Sequence, residues 1–193
     1  LHHLNATAPR GTPNGPVDIR RWLAELREVK HPEELVLMRK AITITCEAQN
    51  ELMRRLEPTM TEYQTEAIVE YVFTMHGAEH EGFPSIQGGG PHSCVLHYIT
   101  NRRTLTDGDL LVSDIGAEYH GYTADVTRTL PANGKFSKDQ RAIYDLVLAA
   151  QEAGMAQARA GSPFRAPHNA AWAVIAKGLN DLGIVKDEAE VKR

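Results

Sequence analysis

The sequence predicts an α+β fold, with an antiparallel sheet covered by helices on one side. Three observations point there. Two capping boxes, Thr61-Glu62-Tyr63-Gln64 and Ser137-Lys138-Asp139-Gln140, each open an apolar run at helical spacing. Between them, two stretches rich in apolar and β-branched residues (Leu110, Leu111, Val112, Ile115; Val126, Thr127, Thr129, Leu130) flank a short polar turn containing Gly121, which reads as a β-hairpin. The strong turn Thr106-Asp107-Gly108-Asp109 feeds that hairpin.

Taken in order, residues 1–17 are rich in Pro, Gly and Asn and read as a linker. Asp18 caps a short helix through Trp22, Leu23 and Leu26. Pro32 starts a long helix with Glu33 and Glu34 in its first turn and an apolar face of Leu35, Met38, Ile42, Cys46 and Leu52; Arg54, Arg55 and Pro58 mark its end. The helix after Thr61 carries Ala67, Ile68, Tyr71 and Val72 as its apolar face and stops at Gly77. His76, His80 and His92 read as surface or capping residues. The run Gly82 to Pro91, with its Gly88-Gly89-Gly90, reads as flexible backbone, and Ser93 to Ile99 as a strand with His97 near its end. A nucleotide loop is not expected, because no helix follows the glycines. Beyond the hairpin, Ser137 launches a helix through Ile143, Leu146, Val147, Ala150 and Met155, ending near Gly161. Pro167 opens a last helix with Trp172, Ile175 and Leu179, stopped by Gly183, and His168 is structural or exposed.

With 193 residues, 42% of them hydrophobic, the chain can bury a real core. A net charge of −4 leaves no basic footprint, so no nucleic-acid partner is expected. No apolar run approaches membrane-spanning length; neither a membrane partner nor a signal peptide is expected. Cys46 and Cys94 are too few and too far apart for a disulfide framework, which favours a reducing, cytoplasmic setting. The GxSxG, CxxC, HExxH and Walker patterns are absent. The chain opens on Leu1 and closes on a charged tail from Asp187 to Arg193, as a piece of a longer protein would.

Chemistry concentrates on Asp114 and Asp125. Side chains alternate along a strand, so both registers available to the hairpin put these carboxylates on one face. A turn centred on Tyr119 and His120 sets them directly opposite, with Cβ atoms roughly 5 Å apart; one centred on His120 and Gly121 sets them diagonally, at roughly 7 Å. Facing like charges are destabilising unless a cation lies between them, and hard carboxylate oxygens suit Mn, Mg or Zn.

The order of Cys94-Val95-Leu96-His97-Tyr98, Asp107-Gly108-Asp109 and Asp114…Gly121-Tyr122…Asp125-Val126-Thr127-Arg128-Thr129 resembles the pita-bread metallopeptidases, most closely the Xaa-Pro aminopeptidase (aminopeptidase P) branch, with prolidase next. Lys135-Phe136-Ser137, Gln140-Arg141, Ile143-Tyr144 and, upstream, Leu26 to Lys30 with Pro32-Glu33-Glu34 continue the likeness, which runs from about Ile19 to about Gly183. It implies a pita-bread fold in which residues 1–17 are a linker or the end of a preceding N-terminal domain, and 18–193 the first half of the catalytic domain. It also implies two divalent metal ions, commonly Mn²⁺ with Zn or Co as alternatives, and a metal-bridged hydroxide that attacks the bond preceding proline in a peptide with proline at position two. Asp114 would bind one metal through both oxygens and Asp125 would bridge the two. His97 would hydrogen-bond substrate or stabilise the tetrahedral intermediate, and Phe83 would line the substrate cleft. The family's remaining ligands, a histidine and two glutamates, come from a second half for which this sequence has no counterpart: no histidine follows His168, and the acids after Gly183 are Asp187, Glu188 and Glu190. The site is therefore expected to be incomplete in this chain, which by itself is expected to be inactive, and the uncovered faces of a half-fold favour a homo-oligomer. The competing readings are a non-catalytic pita-bread binding or assembly module, and prolidase. Methionine aminopeptidase fits His97-Tyr98-Ile99-Thr100 less well, and the creatinase-like hydrolases lack the metal aspartates.

Overall fold

The structure, a computed structural model, describes residues 19–191. The linker at 1–17 and the Asp18 cap lie outside the described residues. The chain forms two compact units: one runs to Leu105 and includes Leu110–Leu130, and the other comprises Thr106–Asp109 and the chain from Pro131.

The first unit holds helices α1 (Arg20–Glu28), α2 (Pro32–Arg55) and α3 (Glu62–Met75) and six short strands: β1 (His80–Glu81), β2 (Ile86–Gly89), β3 (Leu110–Ile115), β4 (Ala117–Tyr119), β5 (Tyr122–Thr123) and β6 (Val126–Pro131). The strands form two three-stranded sheets, ordered β1-β4-β5 and β2-β3-β6. Helix α2 packs on β4 and β5, and α3 on β1 and β2. The helix starts follow local chemistry. Pro32 opens α2, whose entry is closed by Glu34 accepting from the His31 amide at 2.6 Å, and Gln64 accepts from the Thr61 amide at 2.7 Å at the head of α3.

The hairpin forms in the second of the two registers. Tyr119 pairs with Tyr122 and Glu118 with Thr123, so the turn centres on His120 and Gly121. The hairpin is divided between the two sheets, β3 and β6 belonging to one and β4 and β5 to the other. The division falls at Gly116, where the chains come so close that a Cβ would lie 1.8 Å from the Ala124 carbonyl oxygen and 2.8 Å from Phe83 Cε1. Only glycine allows that approach.

The strand expected at Ser93–Ile99 is not there. Gly90–Cys94 is a 3-10 turn, with Ser93 Oγ donating to the Gly90 carbonyl at 2.6 Å, and Val95, Leu96 and Ile99 are exposed. The strand is β2, in the run read as flexible backbone. It pairs antiparallel with β3 from Ile86 opposite Asp114 to Gly89 opposite Leu111. All four of its residues are buried, and a Cβ on Gly89 would lie 2.2 Å from Leu105 Cδ2. Tight packing, not mobility, explains the glycine.

The buried helix faces also differ from the expected ones. Helix α2 buries Ala41, Ile44, Thr45, Ala48, Gln49 and Leu52, whereas Leu35, Ile42 and Cys46 are exposed. Helix α3 buries Glu62, Thr65, Val69, Val72 and Phe73, and leaves Ala67 and Tyr71 exposed. Both faces keep helical spacing, but each contains polar residues that bond the strands beneath, so an apolar periodicity points to the wrong stripe. Cys46 and Cys94 are both free.

In the second unit, α4 (Lys138–Gln157) packs against α5 (Ala166–Asp181), with the Leu146 methyls closing on Gly178. The Ser137 capping box is complete: Ser137 Oγ accepts from the Gln140 amide at 3.2 Å, and Gln140 Oε1 from the Ser137 amide at 2.9 Å. The same Gln140 donates to the Gly108 carbonyl at 2.9 Å, and Asn133 Nδ2 donates to Asp107 at 2.6 Å, so the Thr106–Asp109 turn is tied to the head of α4. In α4, Ala150 and Gly154 are buried, while Ile143, Val147 and Met155, apolar residues of the same helix, are exposed. His168 is exposed and stacks on Trp172, with ring centroids 6.2 Å apart. Among the described residues, no helix is long and apolar enough to cross a membrane.

The close approach at the sheet division makes a direct prediction. Gly116→Ala should lower unfolding stability by about 3 kcal/mol, because a backbone carbonyl cannot move aside as a side chain would. A urea-denaturation midpoint equal to that of the unsubstituted protein would contradict it.

Candidate metal centre

Asp114 is half-buried on β3, where buried and half-buried residues alternate. Asp125 does not lie within a strand, as the sequence reading had it. It is exposed, in the two-residue break between β5 and β6 where the hairpin changes sheet. At this break the backbones at Gly116 and Ala124 approach closely, and the Ala124 amide still donates to the Ala117 carbonyl at 3.0 Å. The two carboxyls nonetheless meet. Desolvation, then repulsion from Asp114 and a hydrogen bond shared with it, hold the Asp125 carboxyl above the usual carboxylate range. Thr127 Oγ1 donates to Asp114 Oδ1 at 2.9 Å and so orients that side of the pair.

Two convergent carboxylates cost stability when both are ionised, and either a shared proton or a cation relieves that cost. Their oxygens are hard donors of the type divalent cations prefer, so the donor chemistry suits a metal. The pair supplies only part of a coordination shell. Among the described residues, no three His, Cys, Asp or Glu side chains gather to hold an ion.

His97 does not join the aspartates in any contact. It sits in the loop after the 3-10 turn, exposed, with φ at +52°, a left-handed conformation uncommon for a residue with a Cβ. No hydrogen bond or ion pair involves it among the described residues. Phe83 is half-buried with its ring edge against Gly116, next to the hairpin that carries both aspartates.

The loop bearing His97 is held by a residue the sequence reading passed over. Glu62 is fully buried and accepts from the Gly89 amide at 2.8 Å, His92 Nδ1 at 3.0 Å, the Tyr98 hydroxyl at 2.7 Å and the Arg103 amide at 2.8 Å. Burial alone pushes the Glu62 carboxyl up, but these four donors outweigh it and hold the carboxyl below the usual glutamate value of 4.5. His92, read from sequence as a surface or capping residue, is half-buried here, its ring 4.4 Å from that of Tyr98. In sequence, Glu62 is a glutamate in the first turn of a helix, fully explained by the helix dipole. Its four partners lie 27 to 41 residues onward, so no local signal marks it. Asn101, also buried, braces the loop from its other end: its Oδ1 accepts from the Gln87 amide at 3.0 Å and its Nδ2 donates to the Ser85 carbonyl at 2.7 Å.

The sequence model of Metallopeptidase family M24 matches residues 36–189, well over half of the chain. The chain belongs to that family. It is 38% identical over 186 residues to the Xaa-Pro aminopeptidase of Escherichia coli (strain K12), a match covering 96% of this chain and 41% of that protein. It superposes with a TM-score of 0.88, at 39% identity, on a zinc-substituted Escherichia coli aminopeptidase P in complex with product, and with the same score, at 41% identity, on proline aminopeptidase P II from Yersinia pestis; each superposition covers 91% of this chain and 40% of the other. The chain therefore spans about 40% of the length of these relatives, and its architecture is that of the pita-bread fold.

Stability should depend on pH through Glu62. Its carboxyl titrates lower in the folded chain than in the unfolded one, so its contribution is fully present above pH 4.5 and is lost as pH falls through the depressed folded value. Glu62→Gln, which leaves buried donors without an anionic acceptor, should lower stability at neutral pH by about 2 kcal/mol. It should also flatten the loss of stability in acid, which urea titrations of both proteins across this range would measure.

Proposed function

We propose that this chain is the first half of the catalytic domain of a metallo-aminopeptidase that releases the N-terminal residue from peptides with proline at position two. The observation that carries the reading is the Asp114–Asp125 pair, two carboxyls drawn together at a break in a hairpin, in a chain of a metallopeptidase family. The names of its relatives support the substrate class.

Asp114 and Asp125 would hold two divalent cations, Mn²⁺ by preference with Zn or Co as alternatives, together with a histidine and two glutamates from the rest of the protein. Bound cations at such a site lower the pKa of water and polarise the scissile carbonyl. Thr127 keeps Asp114 in place. His97, on its own loop, is free to donate a hydrogen bond to the carbonyl oxygen of the substrate as charge develops there. The amine that leaves is the proline nitrogen, which needs a proton donor. Phe83 offers an apolar wall beside the hairpin. A homo-oligomer in the cytoplasm fits the exposed apolar residues and the two free cysteines.

One observation favours the alternative of a non-catalytic binding module: only two donors converge among the described residues. Activity decides between them. With Mn²⁺, the complete protein should hydrolyse an Xaa-Pro tripeptide and leave a methionyl peptide and creatine intact; preference for the Xaa-Pro dipeptide would favour prolidase. Asp125→Ala should abolish Mn²⁺ loading and hydrolysis together. His97→Ala should cut kcat by about 10²-fold with Mn²⁺ content unchanged, and loss of metal in that variant would show that its role is misassigned.

A further inference from the structure

We propose that Gln49 is a positioning residue that sets the gap between Asp114 and Asp125, a role that rests on the metal-centre reading above. Gln49 projects from α2 and is 3% exposed. Its Nε2 donates to the Ser113 carbonyl at 3.1 Å and to the Val126 carbonyl at 3.0 Å. Ser113 immediately precedes Asp114, and Val126 immediately follows Asp125. A single nitrogen thus ties together the backbone next to each carboxylate. The two oxygens it bonds can be no farther apart than the lengths of the two bonds allow.

The orientation of the amide is settled by its partners. Both are carbonyl oxygens, which only accept, so the NH₂ end must face them. Its two hydrogens are both used. The cost falls on the other end, where Gln49 Oε1 is buried without a partner. Packing alone would favour an apolar side chain at this position. One turn earlier on α2, Thr45 Oγ1 accepts from the Ala117 amide at 2.9 Å and donates to the Ala41 carbonyl at 2.9 Å. Helix α2 therefore grips the hairpin on both sides of Gly116, and Gln49 holds the side with the aspartates. When both are ionised the two carboxylates repel each other and push apart the segments that carry them, and the bridging amide opposes that splay before any cation is bound.

The test is a Mn²⁺ titration of the complete protein, following free Mn²⁺ by its electron paramagnetic resonance signal at a temperature where circular dichroism reports each variant folded. Gln49→Leu keeps the volume and removes both donors. Gln49→Asn keeps the amide on a stem too short to reach both carbonyls, and serves if the leucine variant does not fold. Either should weaken Mn²⁺ binding about tenfold or more. Ile44→Ala, on the same buried face but bonded to neither carbonyl, should lower Tm and leave Mn²⁺ affinity within about twofold of the unsubstituted protein. Unchanged affinity in a folded Gln49 variant would overturn the proposal, as would equal weakening in Ile44→Ala, which would reduce Gln49 to a general stability role. Failure of the unsubstituted protein to bind Mn²⁺ would overturn the metal-centre reading itself, and Gln49's role with it.

Discussion

The contact between Gly116 and the Ala124 carbonyl is the constraint on which the first unit depends. A hairpin paired without a break would run as one ribbon in one sheet, with both aspartates inside paired strands. Here the backbones close on each other at Gly116, and each arm leaves the β1-β4-β5 sheet there to join the β2-β3-β6 sheet. Asp125 falls in the resulting gap, where its carboxyl is accessible, while Asp114 stays on the ladder opposite Ile86. The spacing brings the aspartates to one face, and the break leaves Asp125 exposed beside Asp114.

A broken hairpin needs bracing, and polar side chains from the helices supply it. Glu62 gathers four donors from the loop around His97. Gln87 links three elements, its Oε1 accepting from Thr65 Oγ1 at 3.2 Å, its Nε2 donating to Ser113 Oγ at 3.1 Å and its amide donating to Asn101. The Tyr122 hydroxyl donates to Glu34 at the head of α2. Such groups are costly to bury unless their partners are in place, so each one specifies an arrangement more narrowly than apolar packing does. In this unit that specification converges on the strands and loop that carry Asp114, Asp125 and His97.

Much was legible in the sequence wherever cause and effect are neighbours. The capping boxes at Thr61 and Ser137, Pro32 at the start of α2 and the turn around Gly121 all act within four residues, and the helices begin where those signals put them. The spacing of Asp114 and Asp125 was legible for the same reason. What misled was the treatment of apolarity as a marker of burial. Ala41, Thr45, Ala48 and Gln49 make a weaker apolar pattern than Leu35, Ile42 and Cys46, yet they are the buried face, because small residues let the helix approach the strands and polar ones bond them. The triple glycine read as slack for a related reason: glycine supplies a tight fit as readily as a loose one.

The sequence by itself therefore determined the helices, the hairpin, the pairing of two carboxylates and the family, since each rests on spacing or on local hydrogen bonds. Tertiary structure alone decided that the strand runs from Ile86 to Gly89 and not through His97, that the hairpin divides between two sheets, and that Glu62 and Gln49 are buried beneath them. The physical reason is distance along the chain. Gln49 meets its acceptors 64 and 77 residues away, and Glu62 meets Arg103 after 41. Whether a buried polar group is stabilising or ruinous depends on those partners, and they are adjacent only once the chain has folded.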